Sequence, residues 1–219
     1  MQIEYRLGEE IDDQTTYQVF IEANRELNKR RGLPDPYPDD PPSRFMALRR
    51  YAREYHSEGY WVAHDRDHMV GFGIGIRHPG SWYLAALQVR PHYQGSGIGR
   101  CLMERTLGIS HGADVVSAIS VGMQPVSNAI YIGAGMLPWA PMFAWETPLE
   151  TKIPDFSVHS RMSLNPTVGI DIVSAIDQQV LGMDRMSQLK FWIEQPDIEC
   201  LVMSINDEPA GYVFVSSSG

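Results

Sequence analysis

Basic residues and cysteines are both scarce in this sequence, and each shortage excludes a class of protein. Eighteen Lys and Arg stand against 27 Asp and Glu, which gives a formal net charge of −9 over 219 residues. A protein that binds the nucleic-acid backbone needs a basic face, so this balance argues against a nucleic-acid partner. The two cysteines, Cys101 and Cys200, lie far apart and form no Cys-x-x-Cys or Cys/His cluster. We therefore expect neither a disulfide framework nor a metal site.

Long apolar runs are absent as well. No segment approaches the roughly 20 apolar residues of a membrane-spanning helix. The N-terminal residues 1–10 lack the basic and apolar regions of a secretory signal. We therefore expect a cytoplasmic protein without membrane contact. The apolar fraction of 43% is sufficient for a packed core, and the acidic balance favours a small cationic substrate.

The pattern of apolar residues predicts an α/β (α+β) chain. Helical periodicity alternates with short runs typical of strands, and five prolines interrupt residues 32–43, where neither element is tolerated. The strand over 81–89 is apolar on both faces, as a central strand should be. In chain order, the predicted elements are a strand at 2–7, helices at about 12–31 and 44–56, a hairpin within 59–80, the strand 81–89, a helix at about 97–111, a strand at 113–122, a short helix at 125–135 and a last strand at 136–146.

Three glycines, Gly95, Gly97 and Gly99, stand between the central strand and the following helix. Strand, glycine-rich turn and helix together are suited to holding an anion, because free N–H groups at the start of the helix point outward. A Walker A loop is excluded, since Gly99 is followed by Arg100 and not by lysine. Read from Gly95, the dinucleotide fingerprint lacks its third glycine. The pattern that residues 94–99 do match is Gln/Arg-x-x-Gly-x-Gly/Ala.

That pattern, together with the strand before it and the helix after it, resembles the GNAT family of acetyl-CoA-dependent N-acetyltransferases. The resemblance covers about residues 1–147. Residues 131–136, Tyr-Ile-Gly-Ala-Gly-Met, resemble a second family motif, Tyr-x-x-x-Gly-Phe, with methionine in place of phenylalanine. Gln124 stands where the family usually has asparagine, which leaves a family contact there in doubt. The resemblance implies the GNAT fold, a mixed central sheet with splayed strands and flanking helices.

The resemblance also implies which residues form the site. Main-chain groups of the central strand would pair with the pantetheine arm of acetyl-CoA, and the amides of the glycine turn would hold its pyrophosphate. Tyr131 matches the general acid of the family, since a phenol keeps its proton at neutral pH and can donate it. The co-substrate is acetyl-CoA, without a metal. The cofactor-binding residues are predicted to be Leu87, Val89, Gln94, Gly95, Ser96, Gly97, Ile98, Gly99 and Arg100.

The general base is left open by the sequence. Many GNAT members carry a glutamate on the central strand, but residues 82–88 contain no acid. The candidates are His64, His78, His92 or an ordered water. The missing acid keeps a second function open, a non-catalytic module that binds or senses acyl-CoA. A nicotinamide or flavin oxidoreductase fits the glycine spacing less well.

The proline-rich loop 32–43 lies where GNAT proteins commonly build the acceptor pocket. Asp35, Asp39 and Asp40 would attract a cationic amine there, and Tyr37 would cover it. The expected activity is the transfer of an acetyl group to a primary amine by direct attack. The acidic balance favours a small-molecule amine as the partner.

The C-terminal part of the chain contains a weak internal repeat. Residues 201–219 align without gaps on the hairpin that starts at Trp61, with an offset of 140 positions that places Gly71 on Gly211. We predict a GNAT domain at 1–147, a linker at 148–166 with a strand near 156–164, and a partial second GNAT-like domain at 167–219. This last domain, helix–helix–hairpin, lacks a glycine loop. Its expected roles are to shape the acceptor pocket, to cover the first sheet or to pair two chains into a homodimer.

Overall fold

The computed structural model describes residues 2–120, 124–140, 162–166 and 169–216. The chain divides into two compact units, Met1–Leu137 and Pro138–Gly219. None of the described helices combines the length and the apolarity that crossing a membrane requires. The elements are β1 (Ile3–Leu7), α1 (Asp13–Arg31), α2 (Ser43–Tyr55), β2 (Tyr60–Asp65), β3 (His68–His78), β4 (Ser81–Val89), α3 (Ile98–Leu107), β5 (Val115–Ala118), α4 (Pro125–Gly133), β6 (Met162–Pro166), α5 (Ile170–Leu181), α6 (Met186–Ile193), β7 (Ile198–Ile205) and β8 (Glu208–Ser216).

The first unit is built on a five-stranded sheet in the order β1-β2-β3-β4-β5. The pairs from β1 to β4 are antiparallel, whereas β5 runs parallel to β4. A parallel neighbour needs a crossover connection, and α3 provides it. The predicted mixed sheet with flanking helices is therefore confirmed.

Helices cover the two faces of this sheet. Neighbouring residues of β3 point to opposite faces, as the pleat of a strand requires. A Cβ on Gly73 would lie 3.0 Å from the Thr106 side chain, so α3 lies directly on that face. Phe72 points the other way, and its ring centroid lies 5.0 Å from the Arg49 guanidinium of α2. The sheet thus separates an α3 face from an α1/α2 face.

The start of α1 is held by an ion pair and not by a side-chain cap. Asp12 takes the N-cap position, but its side chain does not cap the helix. The carboxylate instead accepts two hydrogen bonds from the Arg6 guanidinium, at 2.6 and 2.8 Å. Burial acts to raise the pKa of Asp12, but the bonds from Arg6 outweigh it and hold the pKa below its ordinary value. The Asp12 carboxylate also accepts a hydrogen bond from the Glu9 N–H at 2.8 Å, so it caps the turn before α1 and not α1 itself.

Two further elements are shorter in the structure than the sequence pattern predicts. The helix expected to end near His111 ends at Leu107. Within the described residues 113–120 the strand expected over 113–122 forms at Val115–Ala118, and residues 121–122 lie outside the described part of the chain. The strand predicted over 136–146 is not seen at 136–140, and the remainder of that prediction lies outside the described residues.

The second unit contains a three-stranded antiparallel sheet, β6-β7-β8, with α5 and α6 before its hairpin. Its buried core is formed by Val173, Leu189, Cys200 and Val202. The predicted strand near 156–164 corresponds to β6, although residues 156–161 lie outside the described part of the chain.

The two hairpins share one register. β2 and β3 shift register after Ala63, and β7 and β8 shift after Met203, which is the same position at the offset of 140. The order strand, helix, helix, strand, strand occurs in both units, and β6 pairs with β7 as β1 pairs with β2. The sequence repeat therefore has a structural counterpart in the described residues.

Candidate active site

β4 loses one of its two partners halfway along its length. The parallel pairing with β5 ends at Leu84, opposite Ala118. On the other side of β4 the register with β3 shifts, so that Ala85 forms a bulge without a partner of its own. Beyond the bulge no described strand pairs with the β5 side of β4. Leu87 and Val89, predicted to bind pantetheine, lie on this open edge of β4, residues 85–89.

The turn after β4 is shaped by its own polar side chains. The Ser96 hydroxyl donates to the Tyr93 carbonyl oxygen at 2.6 Å. The Gln94 side-chain amide donates to the Val89 carbonyl oxygen at 2.9 Å, and the Gln94 N–H donates to the Pro91 carbonyl oxygen at 3.2 Å. The main-chain N–H of Gln94 therefore already has an acceptor within the turn. The predicted set of main-chain amides that would bind the phosphates is reduced to residues 95–100.

Arg90 anchors this turn and is absent from the sequence prediction. It is only 9% exposed, its Nε donates to the Met69 carbonyl oxygen at 2.7 Å, and its Nη1 pairs with Glu22 of α1. Arginine is normally exposed, so nothing in the local pattern marks this one as structural.

Two of the three glycines are required by backbone conformation. Gly95 has φ of 79° and Gly97, the N-cap of α3, has φ of 90°. A Cβ on either residue would meet no atom within 4 Å, so space is not the reason for glycine. Side chains rarely adopt this left-handed region, which leaves glycine as the residue that fits.

The N–H groups from Gly95 to Arg100 have no acceptor in the part of the chain that the structure describes. The first hydrogen bond of α3 runs from the Cys101 N–H to the Gly97 carbonyl oxygen, at 3.1 Å. Ile98 is buried in the core, so its amide and not its side chain is available to a ligand. Free amides at a helix N-terminus, where the dipole contributes about half a positive charge, suit a phosphate group.

Gly99 has a different role from its two neighbours. Its Cβ would lie 3.2 Å from Cδ1 of Ile130, tighter than an ordinary contact. The absence of a side chain thus lets α4 approach α3 closely. Because Tyr131 follows Ile130, Gly99 helps to position the predicted general acid.

Tyr131 lies partly buried on α4 beside the sheet. Its apolar surroundings include Trp82, Leu84 and Met103. Burial, with a smaller effect of Tyr83, raises the pKa of Tyr131. The phenol therefore remains protonated at neutral pH and able to donate.

None of the three histidines predicted as a base lies on the open edge of β4. His64 is on β2, two strands away, and lines a cavity of about 370 Å³ near β1. His78 lies at the end of β3 that pairs with the start of β4, away from the open edge. Its ring centroid is 5.6 Å from that of His56. His92 is exposed in the short 3-10 helix Pro91–Tyr93.

The acidic side chains of the proline-rich loop are partly neutralised. Arg25 of α1 pairs with Asp35 at 2.6 Å and with Asp39 at 3.0 Å. Tyr37 packs edge-on against Phe20, with ring centroids 5.2 Å apart. The expectation that this loop attracts a cationic amine is therefore weakened for these two aspartates, because their charges already have a partner.

Comparison with known proteins agrees with this architecture. Residues 56–129 match the family model described as acetyltransferase (GNAT) domain. No curated protein matches the sequence. A proposed acetyltransferase from Pyrococcus horikoshii shares the fold at a TM-score of 0.66 and 18% identity, over 91% of this chain and 64% of the other. This chain thus spans a little under two thirds of that protein.

Two further solved structures match the fold over a shorter part of this chain. A second Pyrococcus horikoshii protein has a TM-score of 0.50 at 15% identity and covers 65% of this chain and 93% of its own. A Bacillus halodurans protein has a TM-score of 0.50 at 16% identity and covers 68% of this chain and all of its own. Residues 56–129 thus match an acetyltransferase (GNAT) domain, and the solved structures share the fold of this chain.

Proposed function

We propose that this chain transfers the acetyl group of acetyl-CoA to a primary amine of a small molecule. One observation carries the proposal: the unbonded amides of residues 95–100 lie directly after the open edge of β4. The amides fit a pyrophosphate, and a free strand edge fits an extended arm that carries amide groups. Gly95 and Gly97 have positive φ, which residues with a side chain rarely adopt, and no atom lies near the position of a Cβ at either glycine. The turn therefore keeps its conformation and its amides stay accessible. Bound acetyl-CoA would supply an activated thioester.

Two proton transfers are then required of the protein. An alkylammonium with a pKa of about 10.4 must lose a proton before it attacks. Water is the best-supported base, because none of the three candidate histidines lies on the open edge of β4. Tyr131 donates a proton to the departing sulfur, a role that suits a phenol whose pKa burial raises.

A second candidate function is a module that binds or senses acyl-CoA without turnover. Two observations favour it: the central strand carries no acid over residues 82–88, and none of the three candidate histidines lies on the open edge of β4. The presence of Tyr131 on α4 favours catalysis instead.

Calorimetry and a thiol-release assay test the two functions separately. We expect CoA to bind and to raise the unfolding temperature. At a CoA concentration of 100 times its Kd, the free energy of unfolding should rise by about 2.7 kcal/mol. NAD should neither bind nor stabilise the protein. We expect thiol release from acetyl-CoA only when a primary amine is added. Binding without amine-dependent release would favour the sensing module, and absence of CoA binding would contradict both functions.

We also propose that the second unit is a partial GNAT-like domain with its own core. The shared register of the two hairpins and the separate core around Val202 support this. Val62 and Val202 occupy equivalent positions at the offset of 140, and both are buried.

Alanine at these two positions gives a matched test. Each substitution removes buried methyl groups and costs about 2 kcal/mol of local stability. We expect Val202→Ala to lower a melting transition that CoA does not affect, and Val62→Ala to lower the transition that CoA raises. A single transition that both variants and CoA shift alike, measured by calorimetry, would contradict two independent domains.

A further inference from the structure

Arg49 is a buried cation with unused hydrogen-bond donors. It lies on α2 and is 2% exposed. Its Nε donates to the Thr16 hydroxyl at 3.2 Å, but no described residue accepts from its two terminal amino groups. Among the described residues no fully buried side-chain nitrogen lacks a partner. The terminal nitrogens of Arg49 therefore keep a small residual exposure to solvent.

No described carboxylate is in contact with the Arg49 guanidinium, since none lies within 4.0 Å of it. The buried carboxylate of Asp13 is held by Arg53 at 2.9 Å and also accepts a hydrogen bond from Tyr60. Arg53 also pairs with the exposed carboxylate of Glu10 at 4.0 Å, so the nearby acids are partners of Arg53 and not of Arg49. Burial lowers the pKa of Arg49 to about 9, so the side chain is still charged at neutral pH.

Arg49 lies on the face of the sheet opposite to α3, the helix that carries the amides assigned to the co-substrate. Its guanidinium is stacked 3.3 Å from the centroid of the Phe45 ring, and Phe72 of β3 is its second aromatic neighbour. Phe72 pairs with Gln88 on the open edge of β4, so Arg49 lies one residue pair away from that edge. Because the co-substrate is assigned to the α3 side, we place the second substrate on the Arg49 side.

An acceptor carboxylate would satisfy the unused donors. The planar fork of a guanidinium matches the two oxygens of a carboxylate, which bind it in parallel. One guanidinium with a single positive charge suits a monoanion better than a phosphate dianion. We propose that Arg49 binds the carboxylate of the acceptor, so that the substrate of this acetyltransferase is an amino acid. This inference rests on the proposed function of the first unit.

Pairs of amines that differ only in the carboxylate test the inference directly. The probes are ornithine and putrescine, lysine and cadaverine, and phenylalanine and phenethylamine. We expect at least one amino acid to have a kcat/KM at least 10-fold above that of its decarboxylated partner. In Arg49→Met, which keeps an unbranched side chain between the two rings, that preference disappears. Arg49→Lys keeps the positive charge but not the planar fork. We expect its preference for the amino acid to lie between that of the wild type and that of Arg49→Met.

A matched substitution controls for changes in the fold. Arg44→Met makes the same change at an exposed position of the same helix, and we expect it to leave the preference intact. The affinity of Arg49→Met for CoA should equal that of the wild type, which shows that the domain is folded. If Arg49→Met reduces activity toward both members of a pair equally, or if the wild type prefers neither member, the inference is wrong.

Binding measurements separate this inference from the proposed catalysis. Calorimetry of the CoA-bound protein with each pair reports carboxylate recognition even when no turnover occurs. Binding of an amino acid but not of its amine, lost in Arg49→Met, would support the inference in a protein that proves to be a sensing module. Binding of no amino acid by the CoA-bound wild type would overturn it, whatever the activity toward other amines.

Discussion

Replacing Gly97 with alanine is expected to weaken CoA binding about 10- to 100-fold while the protein remains folded. At φ of 90° an alanine costs about 1–2 kcal/mol, so the turn relaxes toward a conformation with negative φ. That relaxation rotates the amides of residues 95–100 away from a common ligand. The new methyl group itself meets no protein atom within 4 Å, so a steric clash does not account for the loss. Calorimetric titration with CoA measures the effect.

Gly32→Ala is the matched control for this variant. Gly32 ends α1 with φ of 67°, and its Cβ would also meet nothing within 4 Å. Both variants should lose about 1–2 kcal/mol of unfolding free energy in urea, because the backbone cost is similar. Only Gly97→Ala should bind CoA more weakly. Unchanged affinity in both would show that the glycine turn does not hold the diphosphate.

Replacing Tyr131 with phenylalanine is expected to lower kcat about 100-fold and to leave the Kd for CoA within about threefold of the wild-type value. The substitution removes one donor from a site where general acid catalysis contributes about 10²–10⁴-fold. The ring is kept, so the packing against Trp82 and Met103 is retained. Steady-state kinetics with saturating amine, together with calorimetry, measures the two quantities.

The pH profile gives a second readout of the Tyr131 assignment. The acid form of the phenol is required, and burial raises its pKa above the ordinary value of about 10. Activity that depends on this proton is therefore fully present below that value and is lost as the pH rises through the raised pKa. We expect the wild type to lose kcat in this alkaline range and Tyr131→Phe to show no such alkaline loss.

Tyr83→Phe distinguishes Tyr131 from its neighbour. Tyr83 of β4 is also partly buried, and burial raises its pKa too. We expect this variant to keep nearly all of its kcat. If Tyr83→Phe loses turnover and Tyr131→Phe does not, the proton donor is on the strand and the role assigned to α4 is wrong.

The roles of the three glycines show how far the sequence alone could go. Their spacing after a central strand predicted an anion-binding turn and, through the family resemblance, the GNAT fold. It did not distinguish Gly95 and Gly97, which are needed for positive φ, from Gly99, which makes room for Ile130. A spacing pattern records that a side chain is absent, whereas the reason for its absence depends on what lies nearby in three dimensions.

Charged residues were the least predictable part of the site. Asp12 binds Arg6 and does not cap α1, Asp35 is paired with Arg25, and Arg90 is buried against β3. In each case the partner is separated along the chain or comes from another element, so periodicity and propensity carry no information about it. Arg49 is the extreme case, a buried cation on a helix whose sequence reads as an ordinary basic one.

The sequence by itself determined the order of the elements, the central strand, the glycine turn and the α/β class. These features follow from local signals: apolar periodicity, proline exclusion and the conformational freedom of glycine act over a few residues. Only the tertiary structure decided where β4 parts from β5 and which arginines are buried. Burial and ion pairing are set by residues far apart in the chain, and folding alone brings them together.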